Sequence, residues 1–239
     1  MFMIKTVLIF TYFWLFLLVT TVGLILWLFL YLMGANGLRQ RFTRWIVQFW
    51  ARHFLRVVGA QVHVEGADRI PEEGRLCFIA NHQSALDILC ILGYSGRTPG
   101  FIAKRELIWA PILNLWMWVI HCVFIERRNP KKAIQAIEKG IEHVRNGHPM
   151  VIFPEGTRSR DGRVHEFKPG SLKLATRADA IVVPVTIEGT WEVYEKTGRF
   201  RPGNVRVVFH PPIDTATLTR EERRKLPEVV QEIVESAIV

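Results

Sequence analysis

Residues 76–87 read LCFIANHQSALD: an apolar stretch, then a polar turn, then the beginning of another apolar run. A short apolar stretch that gives way to polar residues is typical of a buried strand that ends in a loop. Ser84 and Asp87 have the types and the spacing of the N-cap and N3 residues of a capping box, so a helix is predicted to begin here. A buried strand that leads into a helix is the repeating unit of α/β folds, which place active sites at such strand ends.

His82 and Asp87 lie on either side of this predicted helix start. On one continuous helix their side chains would point about 140° apart, so they meet only if His82 stays on the turn and folds back over Asp87. A carboxylate on one imidazole nitrogen fixes the tautomer and raises the basicity of the other nitrogen. His82 is therefore a candidate general base that Asp87 orients. The alternative is that Asp87 only caps its helix and His82 is a loop residue.

A second loop, residues 153–159 (FPEGTRS), follows the apolar run from Met150 to Phe153. Pro154 and Gly156 enclose Glu155 in a tight turn, and a glycine lets the backbone approach a ligand closely. The cationic side chains that follow are Arg158, Arg160, Arg163 and Lys168. A guanidinium can bind a phosphate with two parallel hydrogen bonds, so this loop is predicted either to bind phosphate or to be a solvated basic loop.

The rest of the C-terminal part alternates predicted strands with predicted helices. Strands are predicted from Gln61 to Glu65, Leu76 to Ala80, Gly100 to Ala103, Val119 to Ile125, Met150 to Phe153, Ile181 to Ile187 and Val205 to His210. Helices are predicted after Ser84, from Glu106 to Met117, from Pro130 to Arg145 with Ile134, Ile137, Ile141 and Val144 on one face, from Pro169 to Ala178, and near the C-terminus. This alternation predicts an α/β fold with a mostly parallel sheet covered by helices on both faces.

The N-terminal part has no charged residue from Thr6 to Leu38. A continuous helix of that length would reach about 50 Å, beyond the roughly 30 Å hydrocarbon core of a bilayer. The segment is too long for the apolar region of a secretory signal. It is therefore predicted either to span a membrane with a bend near Gly23 or to lie partly in one leaflet.

After a break at residues 34–37, a second helix is predicted from Leu38 to Val58. Its apolar face is predicted to hold Phe42, Trp45, Ile46, Phe49, Trp50 and Val57, and its polar face Arg41, Arg44, Gln48 and Arg52. This pattern is typical of a helix at a membrane interface, although a core helix with a basic solvent face has the same pattern. The basic residues after Leu38 favour a cytoplasmic location for the C-terminal side.

Composition and length complete the picture. The chain has 239 residues, no visible repeat and a formal charge of +9, which indicate one domain with an appendage and an anionic partner. Because of the N-terminus, that partner is predicted to be membrane lipid and phosphorylated substrate, and not nucleic acid. We therefore predict a membrane-anchoring segment at residues 1–58 and a catalytic domain at residues 59–239, associated with the cytoplasmic face of a membrane.

Several other kinds of site are not expected. Cys77, Cys90 and Cys122 lie in apolar runs without a paired or metal-like spacing, so they are predicted to be reduced core thiols. No nucleophile elbow, zinc-binding histidine pair or glycine-rich phosphate loop is present in the sequence. The remaining histidines are scattered along the chain and are predicted to be structural: His53, His63, His121, His143, His148 and His210.

The two loops together resemble the glycerolipid acyltransferases, specifically the 1-acyl-sn-glycerol-3-phosphate acyltransferases. Further blocks follow in the family's order: FIAKREL at 101–107, VFIER at 123–127, FKPG at 167–170 and VPV at 183–185. The resemblance covers roughly residues 60–215. Two departures, Asn114 where the family usually has Gly and Glu126 where Asp is commoner, leave the chemistry intact and bear on the shape of the acceptor pocket.

The resemblance implies that an acyl group moves from a thioester to the free sn-2 hydroxyl of lysophosphatidic acid, giving phosphatidic acid in phospholipid biosynthesis. His82 would be the general base and Asp87 would orient it. The residues implied in binding the substrate and its phosphate are Lys104, Arg127, Glu155, Gly156, Thr157, Arg158 and Lys168. Backbone N–H groups around Gly156 are candidate oxyanion donors. A thioester is already activated, so neither a metal nor another cofactor is expected besides the co-substrate, acyl-CoA or acyl-acyl carrier protein.

Three alternatives stay open at this point. Glycerol-3-phosphate or another lysophospholipid would serve as acceptor for an enzyme with the same motifs. A phospholipid hydrolase would release fatty acid without an acceptor, and a non-catalytic lipid-binding module would bind lipid without His82. Separately, Trp109, Trp116 and Trp118 are predicted either to form a second membrane-contacting surface or to belong to the core.

Overall fold

The computed structural model describes residues 2–126, 129–159 and 161–238. Within them the N-terminal helices are α1 (Phe2–Val19), α2 (Thr21–Leu32) and α3 (Asn36–Val58). The strands are β1 (Ala60–Glu65), β2 (Leu76–Ala80), β3 (Gly100–Lys104), β4 (Val123–Ile125), β5 (Met150–Ile152), β6 (Ile181–Glu188), β7 (Gly203–Phe209) and β8 (Ile213–Asp214). The remaining α-helices are α4 (Leu86–Tyr94), α5 (Leu113–Val119), α6 (Pro130–Arg145), α7 (Lys173–Arg177), α8 (Thr190–Val193) and α9 (Arg220–Glu235).

Most strands of the single sheet run parallel. The order is β1-β7-β6-β2-β5-β3-β4, and β8 pairs with β6 beside that path. The central strand β2 is buried along its whole length and pairs in parallel with β5 and β6. Only the pairs of β6 with β7 and with β8 are antiparallel among the described strands. The mostly parallel α/β sheet predicted from the sequence is confirmed.

Helices cover both faces of the sheet, as expected for parallel strands. On one face, α3 and α4 bury Leu55, Val58 and Ile91 against the sheet. On the other face, α6, α7 and α9 form a second apolar cluster that includes Ile141, Leu174 and Val230. The three cysteines are free and buried, as predicted.

Four local predictions were wrong. The segment predicted as one helix from Glu106 to Met117 is a 3-10 turn (Arg105–Trp109) followed by α5, because Pro111 cannot continue a helix. Strand β4 begins at Val123, since α5 extends to Val119. The helix predicted from Pro169 begins only at Lys173, and Ile134 on α6 is exposed and not in the core. Strand β8 was not predicted.

The N-terminal segment breaks at Thr20, not at Gly23. The Thr20 and Thr21 hydroxyls each donate a 2.6 Å hydrogen bond to a carbonyl of the preceding turn, an arrangement that bends helices. Gly23 instead provides close packing, because a Cβ there would lie 2.7 Å from Ile46 Cδ1. Among the described residues, the segment Ile4–Leu32 is long and apolar enough to cross a membrane, judged by length and composition.

Helix α3 combines the two roles that its sequence left open. Its buried face, which includes Ala51, Phe54 and Leu55, packs into the core of the α/β domain. Trp45 and Phe49, predicted on the apolar face, are 61% and 46% exposed. The helix is therefore a core helix on one face and an exposed aromatic surface on another.

Candidate active site

His82 and Asp87 meet in the turn between β2 and α4. His82 Nδ1 lies 2.8 Å from Asp87 Oδ2, and the Asp87 side chain is fully buried. The same oxygen accepts hydrogen bonds from the backbone N–H groups of Gln83 and Ser84, at 2.7 and 2.8 Å. Because the carboxylate holds Nδ1, the other ring nitrogen, Nε2, is the one left for a substrate.

The predicted capping box is only half formed. Asp87 accepts from the Ser84 N–H, but the Ser84 hydroxyl accepts from the Leu86 N–H at 3.0 Å and not from Asp87. Helix α4 accordingly begins at Leu86 with Ala85 as its N-cap residue, one residue later than the N-cap predicted at Ser84. The later start keeps His82 well outside the helix, which is what lets its ring fold back.

Thr190 completes the hydrogen bonding of the Asp87 carboxylate and was missed by sequence reasoning. Its buried hydroxyl donates to Asp87 Oδ1 at 2.5 Å. Gly189 before it has φ 87°, and a Cβ there would lie 2.1 Å from the carbonyl oxygen of Asn204, so only glycine fits this turn. The available signal was the VPV block of β6, because β6 lies beside β2 and its end must face the same loop.

Glu155 ties the second loop to the first. Only 5% of the residue is exposed, and its Oε1 accepts the backbone N–H of His82 at 2.7 Å. Its Oε2 accepts the N–H of His165 at 3.4 Å, and the Ser159 N–H donates to the His82 carbonyl at 2.7 Å. Burial raises the pKa of Glu155 to about 7, although these backbone donors act in the opposite direction.

The ring of His82 is fixed from the side of this second loop as well. Phe153 stacks on it with ring centroids 4.0 Å apart and an angle of 16° between the planes. Asn81, next to His82, exchanges two hydrogen bonds with the backbone of Ile187 in β6, at 2.7 and 2.8 Å. The imidazole is thus held by its carboxylate, its ring contact and its backbone.

The residues predicted to bind the phosphate occupy different positions in the structure. Arg158 is about half exposed and donates to Glu195 Oε1 at 3.0 Å, an oxygen that also accepts the Ala85 N–H. Lys168 lies over Gly156, where a Cβ would be 2.7 Å from its Nζ. Lys104 stands at the end of β3. Arg127, predicted to bind the phosphate, lies outside the described residues.

A cavity of about 970 Å³ opens at His82, Lys104 and Arg158. Its polar lining includes His82, Lys104, Thr157, Arg158 and Glu195. The rest of the wall is mainly apolar and comes from the N-terminal helices, α4, α5 and β3; it includes Phe13, Leu17, Trp50, Leu89, Phe101 and Trp116. A base and cations at one part of an otherwise apolar cavity suit a molecule with a reactive polar end and a long apolar tail.

The predicted absence of a metal site concerns the same region. Among residues 2–126, 129–159 and 161–238, no group of three or more histidine, cysteine, aspartate or glutamate side chains is placed to hold a metal ion.

A family model described as Acyltransferase matches residues 61–188, which contain both loops. The chain belongs to the acyltransferase family. It is 33% identical to the 1-acyl-sn-glycerol-3-phosphate acyltransferase of Borreliella burgdorferi, over 74% of this chain and 72% of that protein. It is 32% identical to the chloroplastic 1-acyl-sn-glycerol-3-phosphate acyltransferase of Arabidopsis thaliana, over 80% of this chain and 54% of that protein, so it spans about half the length of this relative.

The fold of this acyltransferase is also that of a solved structure. The crystal structure of the 1-acyl-sn-glycerophosphate (LPA) acyltransferase PlsC from Thermotoga maritima matches with a TM-score of 0.86 and 32% identity. The match covers 99% of this chain and 95% of that one, and so includes the N-terminal helices. The family resemblance and the fold class predicted from the sequence are both confirmed.

Proposed function

We propose that this acyltransferase moves an acyl group from a soluble acyl thioester to the sn-2 hydroxyl of 1-acyl-sn-glycerol-3-phosphate (lysophosphatidic acid), giving phosphatidic acid. The observation that carries the proposal is His82 on its buried carboxylate partner, beside cationic residues, at an apolar cavity. The relatives named as 1-acyl-sn-glycerol-3-phosphate acyltransferases support this choice of acceptor.

In this mechanism His82 Nε2 takes the proton of the acceptor hydroxyl as its oxygen attacks the thioester carbonyl. The tetrahedral intermediate then collapses, the carbon–sulfur bond breaks, and the thiolate leaves and takes up the proton from the imidazolium. Asp87 holds the imidazole in the required tautomer and stabilises its positive charge. No acyl-enzyme is formed, because the acceptor oxygen attacks the thioester directly.

The oxyanion of the intermediate needs hydrogen-bond donors. Gly156 was the centre of the predicted oxyanion site, but its own N–H donates to the Phe153 carbonyl at 3.0 Å. We therefore assign this role to the backbone N–H groups of Thr157 and Arg158, whose residues line the cavity.

Arg158, Lys168 and Lys104 would hold the phosphate of the acceptor, together with Arg127. A bound phosphate fixes the hydroxyl close to His82 and so replaces a bimolecular encounter by a positioned one. Charge-assisted bonds from arginine are suited to this, since they fix direction as well as distance. Glu155 would support this site by accepting the backbone N–H of His82, without contacting the substrate.

We propose that the protein associates with membranes through its long apolar N-terminal segment, which is long and apolar enough to cross a bilayer. We further propose that residues 1–58 supply the membrane contact and one wall of the cavity, while residues 59–239 carry the chemistry. The walls formed by Phe13, Leu17 and Trp50 would hold an acyl chain. The donor, coenzyme A or acyl carrier protein thioester, would approach from the cytoplasmic side.

The test uses the purified full chain in lipid vesicles with a labelled acyl thioester and lysophosphatidic acid. We expect labelled phosphatidic acid from the native protein and from Arg224→Ala, an exposed control on α9. Arg158→Ala should slow the reaction roughly 10-fold to 150-fold, the value of one charge-assisted hydrogen bond. With a neutral monoacylglycerol as acceptor, the same substitution should have little effect.

Each alternative has its own result in this assay. Equal slowing on both acceptors would remove the phosphate-binding role of Arg158. Labelled fatty acid released without acceptor would identify a hydrolase, and preferred acylation of glycerol-3-phosphate or another lysophospholipid would change the acceptor. Lipid binding without any product would identify the protein as a non-catalytic lipid-binding module.

A further inference from the structure

The 3-10 turn Arg105–Trp109 and helix α5 expose large apolar side chains far from the N-terminal segment in sequence. Trp109 is 85% exposed and Trp118 69%, more than any other tryptophan in the described part of the chain. The exposed set, called the tryptophan patch below, consists of Leu107, Ile108, Trp109, Leu115 and Trp118. Contiguous exposed apolar surface of this kind marks a contact with another molecule or a membrane.

The turn that displays the patch is held in a defined shape. Ile112 has φ 63°, an uncommon conformation for a β-branched residue that persists only when its surroundings impose it. The Asn114 side chain donates to the Ile108 carbonyl at 2.7 Å and so ties α5 to the preceding turn. Trp109 is therefore presented by an ordered turn.

The patch adjoins the membrane-associated helices. Trp116, on the same short helix as Trp118, points inward and donates from Nε1 to the Thr20 hydroxyl at 2.9 Å. Gly23 at the beginning of α2 also packs against Trp116. Helix α5, which carries the patch, therefore packs beside α2, and α2 itself exposes apolar residues such as Leu28, at 51% exposure. Of the three tryptophans, Trp116 belongs to the core, whereas Trp109 and Trp118 are exposed.

We propose that the tryptophan patch is a second membrane-contacting surface, which inserts at the headgroup level of the same leaflet that holds α2. A bilayer fits better than a protein partner because the patch continues the apolar surface of the N-terminal segment. Tryptophan rings favour the interfacial zone between the hydrocarbon core and water. Leu107 belongs both to the patch and to the cavity wall, so this contact would hold the cavity against the leaflet.

A site-specific fluorescent probe tests the proposal on the full chain. The native cysteines are all buried, so an introduced surface cysteine can be labelled selectively with a polarity-sensitive dye. The three variants are Trp109→Cys in the patch, Leu28→Cys on α2 as the membrane reference, and Val229→Cys on the exposed side of α9 as the matched control. Vesicles of phosphatidylcholine and phosphatidylglycerol carry a spin label near the headgroup as quencher.

We expect vesicles to blue-shift and quench the dyes at positions 28 and 109, several-fold more than the dye at position 229. Quenching at 28 with a response at 109 no greater than at 229 would overturn the proposal. A response at 109 that depends on protein concentration and needs no vesicles would also overturn it, since it would identify a second copy of the chain as the partner. The readout is lipid contact, so it is independent of whether the acyl transfer proposed above is correct.

Discussion

Two groups of histidines lie at opposite edges of the same sheet. His82 follows the carboxyl end of β2 and faces the buried carboxylate of Asp87. His121, His143 and His148 meet at the amino ends of β4 and β5, where their rings face each other; we call them the histidine cluster. The rings of His121 and His148 stack with centroids 3.6 Å apart. The sequence, in which these histidines are scattered along the chain, predicted a structural role for each of them but not that these three would meet.

The difference lies in what each imidazole faces. A carboxylate partner stabilises the charge that His82 gains when it takes a proton. Burial, the neighbouring imidazoles and Arg39 disfavour that charge in the cluster, and the pKa of His121 is lowered to about 4. Burial also lowers the pKa values of His143 and His148. The imidazole of His82 thus faces a carboxylate, whereas the three imidazoles of the cluster face one another and a guanidinium.

The largest expected effect separates these two groups directly. His82→Ala should reduce turnover about 100-fold to 10,000-fold, the usual contribution of a general base, and Asp87→Asn should impair it severely. His148→Ala should keep near-native turnover, because the cluster lies away from the cavity. The measurement is the vesicle assay described above, with circular dichroism as a check of folding. Near-native turnover in His82→Ala would rule out the assignment of the base.

A smaller effect is expected one contact further from the substrate. Thr190→Val keeps the shape of the side chain but leaves Asp87 Oδ1 without its buried donor. Turnover should therefore fall by roughly 10-fold, and by no more than about 150-fold. Thr190→Ser restores a hydroxyl and should recover most of the loss. Equal kcat in the folded valine and serine variants would mean that this hydrogen bond does not support catalysis.

These contacts also show which parts of the site the sequence could predict. His82 and Asp87 belong to one strand–turn–helix unit, so their meeting follows from local structure alone. Thr190 lies 103 residues from Asp87, and its position depends on β6 pairing beside β2, which no local pattern states. The tryptophans make the same point: Trp116 and Trp118 share a helix, and only the packing of α5 on Thr20 decides which one is buried.

Element types were easier to predict than their ends. Strand β2 and helix α6 match their predicted bounds, because an apolar run marks the strand and a Pro after Asn129 marks the start of the helix. The break in the N-terminal segment fell at Thr20, since hydroxyl bonds to the helix backbone bent the chain there while Gly23 served close packing. The prediction of one helix from Glu106 to Met117 was wrong because the apolar spacing continues across Pro111, whereas the helix does not.

A third prediction concerns Glu155, whose pKa burial raises to about 7. As pH falls through this value the carboxyl is protonated and holds the His82 N–H less strongly, so activity should fall. Because the folded value lies above the ordinary 4.5, stability has the opposite trend: it is complete below 4.5 and decreases as pH rises through about 7. Paired pH profiles of kcat and of unfolding temperature measure the two trends.

Glu155→Gln provides the check, because an amide stays neutral but still accepts one hydrogen bond. Its unfolding temperature should lose the decrease between about pH 4.5 and 7, and its activity should lose the step near pH 7 while remaining below that of the native protein at high pH. Profiles that keep both features in the glutamine variant would show that other groups titrate there.

The smallest expected effect belongs to the histidine cluster and concerns stability alone. Its folded pKa values lie below the ordinary 6.5, so its contribution is complete above 6.5 and is lost as pH falls towards about 4. The charged side chains that face the cluster are those of Arg39, Lys139 and Glu142. His148→Gln removes the stacked partner of His121 and should reduce the acid loss of unfolding temperature by roughly 2–4 °C, about 1 kcal/mol for a chain of this size.

His63→Gln, on the exposed side of β1, is the matched control and should leave the acid loss unchanged. Melting curves at pH values on both sides of 6.5 distinguish the two variants. If both variants showed the same acid loss of unfolding temperature, repulsion within the histidine cluster would not govern stability in acid. The cluster would then have no special electrostatic role to set against the pair of His82 and Asp87. If only His148→Gln responded while turnover at neutral pH stayed native, then the two edges would be independent. His82 would act in catalysis, and the histidine cluster would affect only stability in acid.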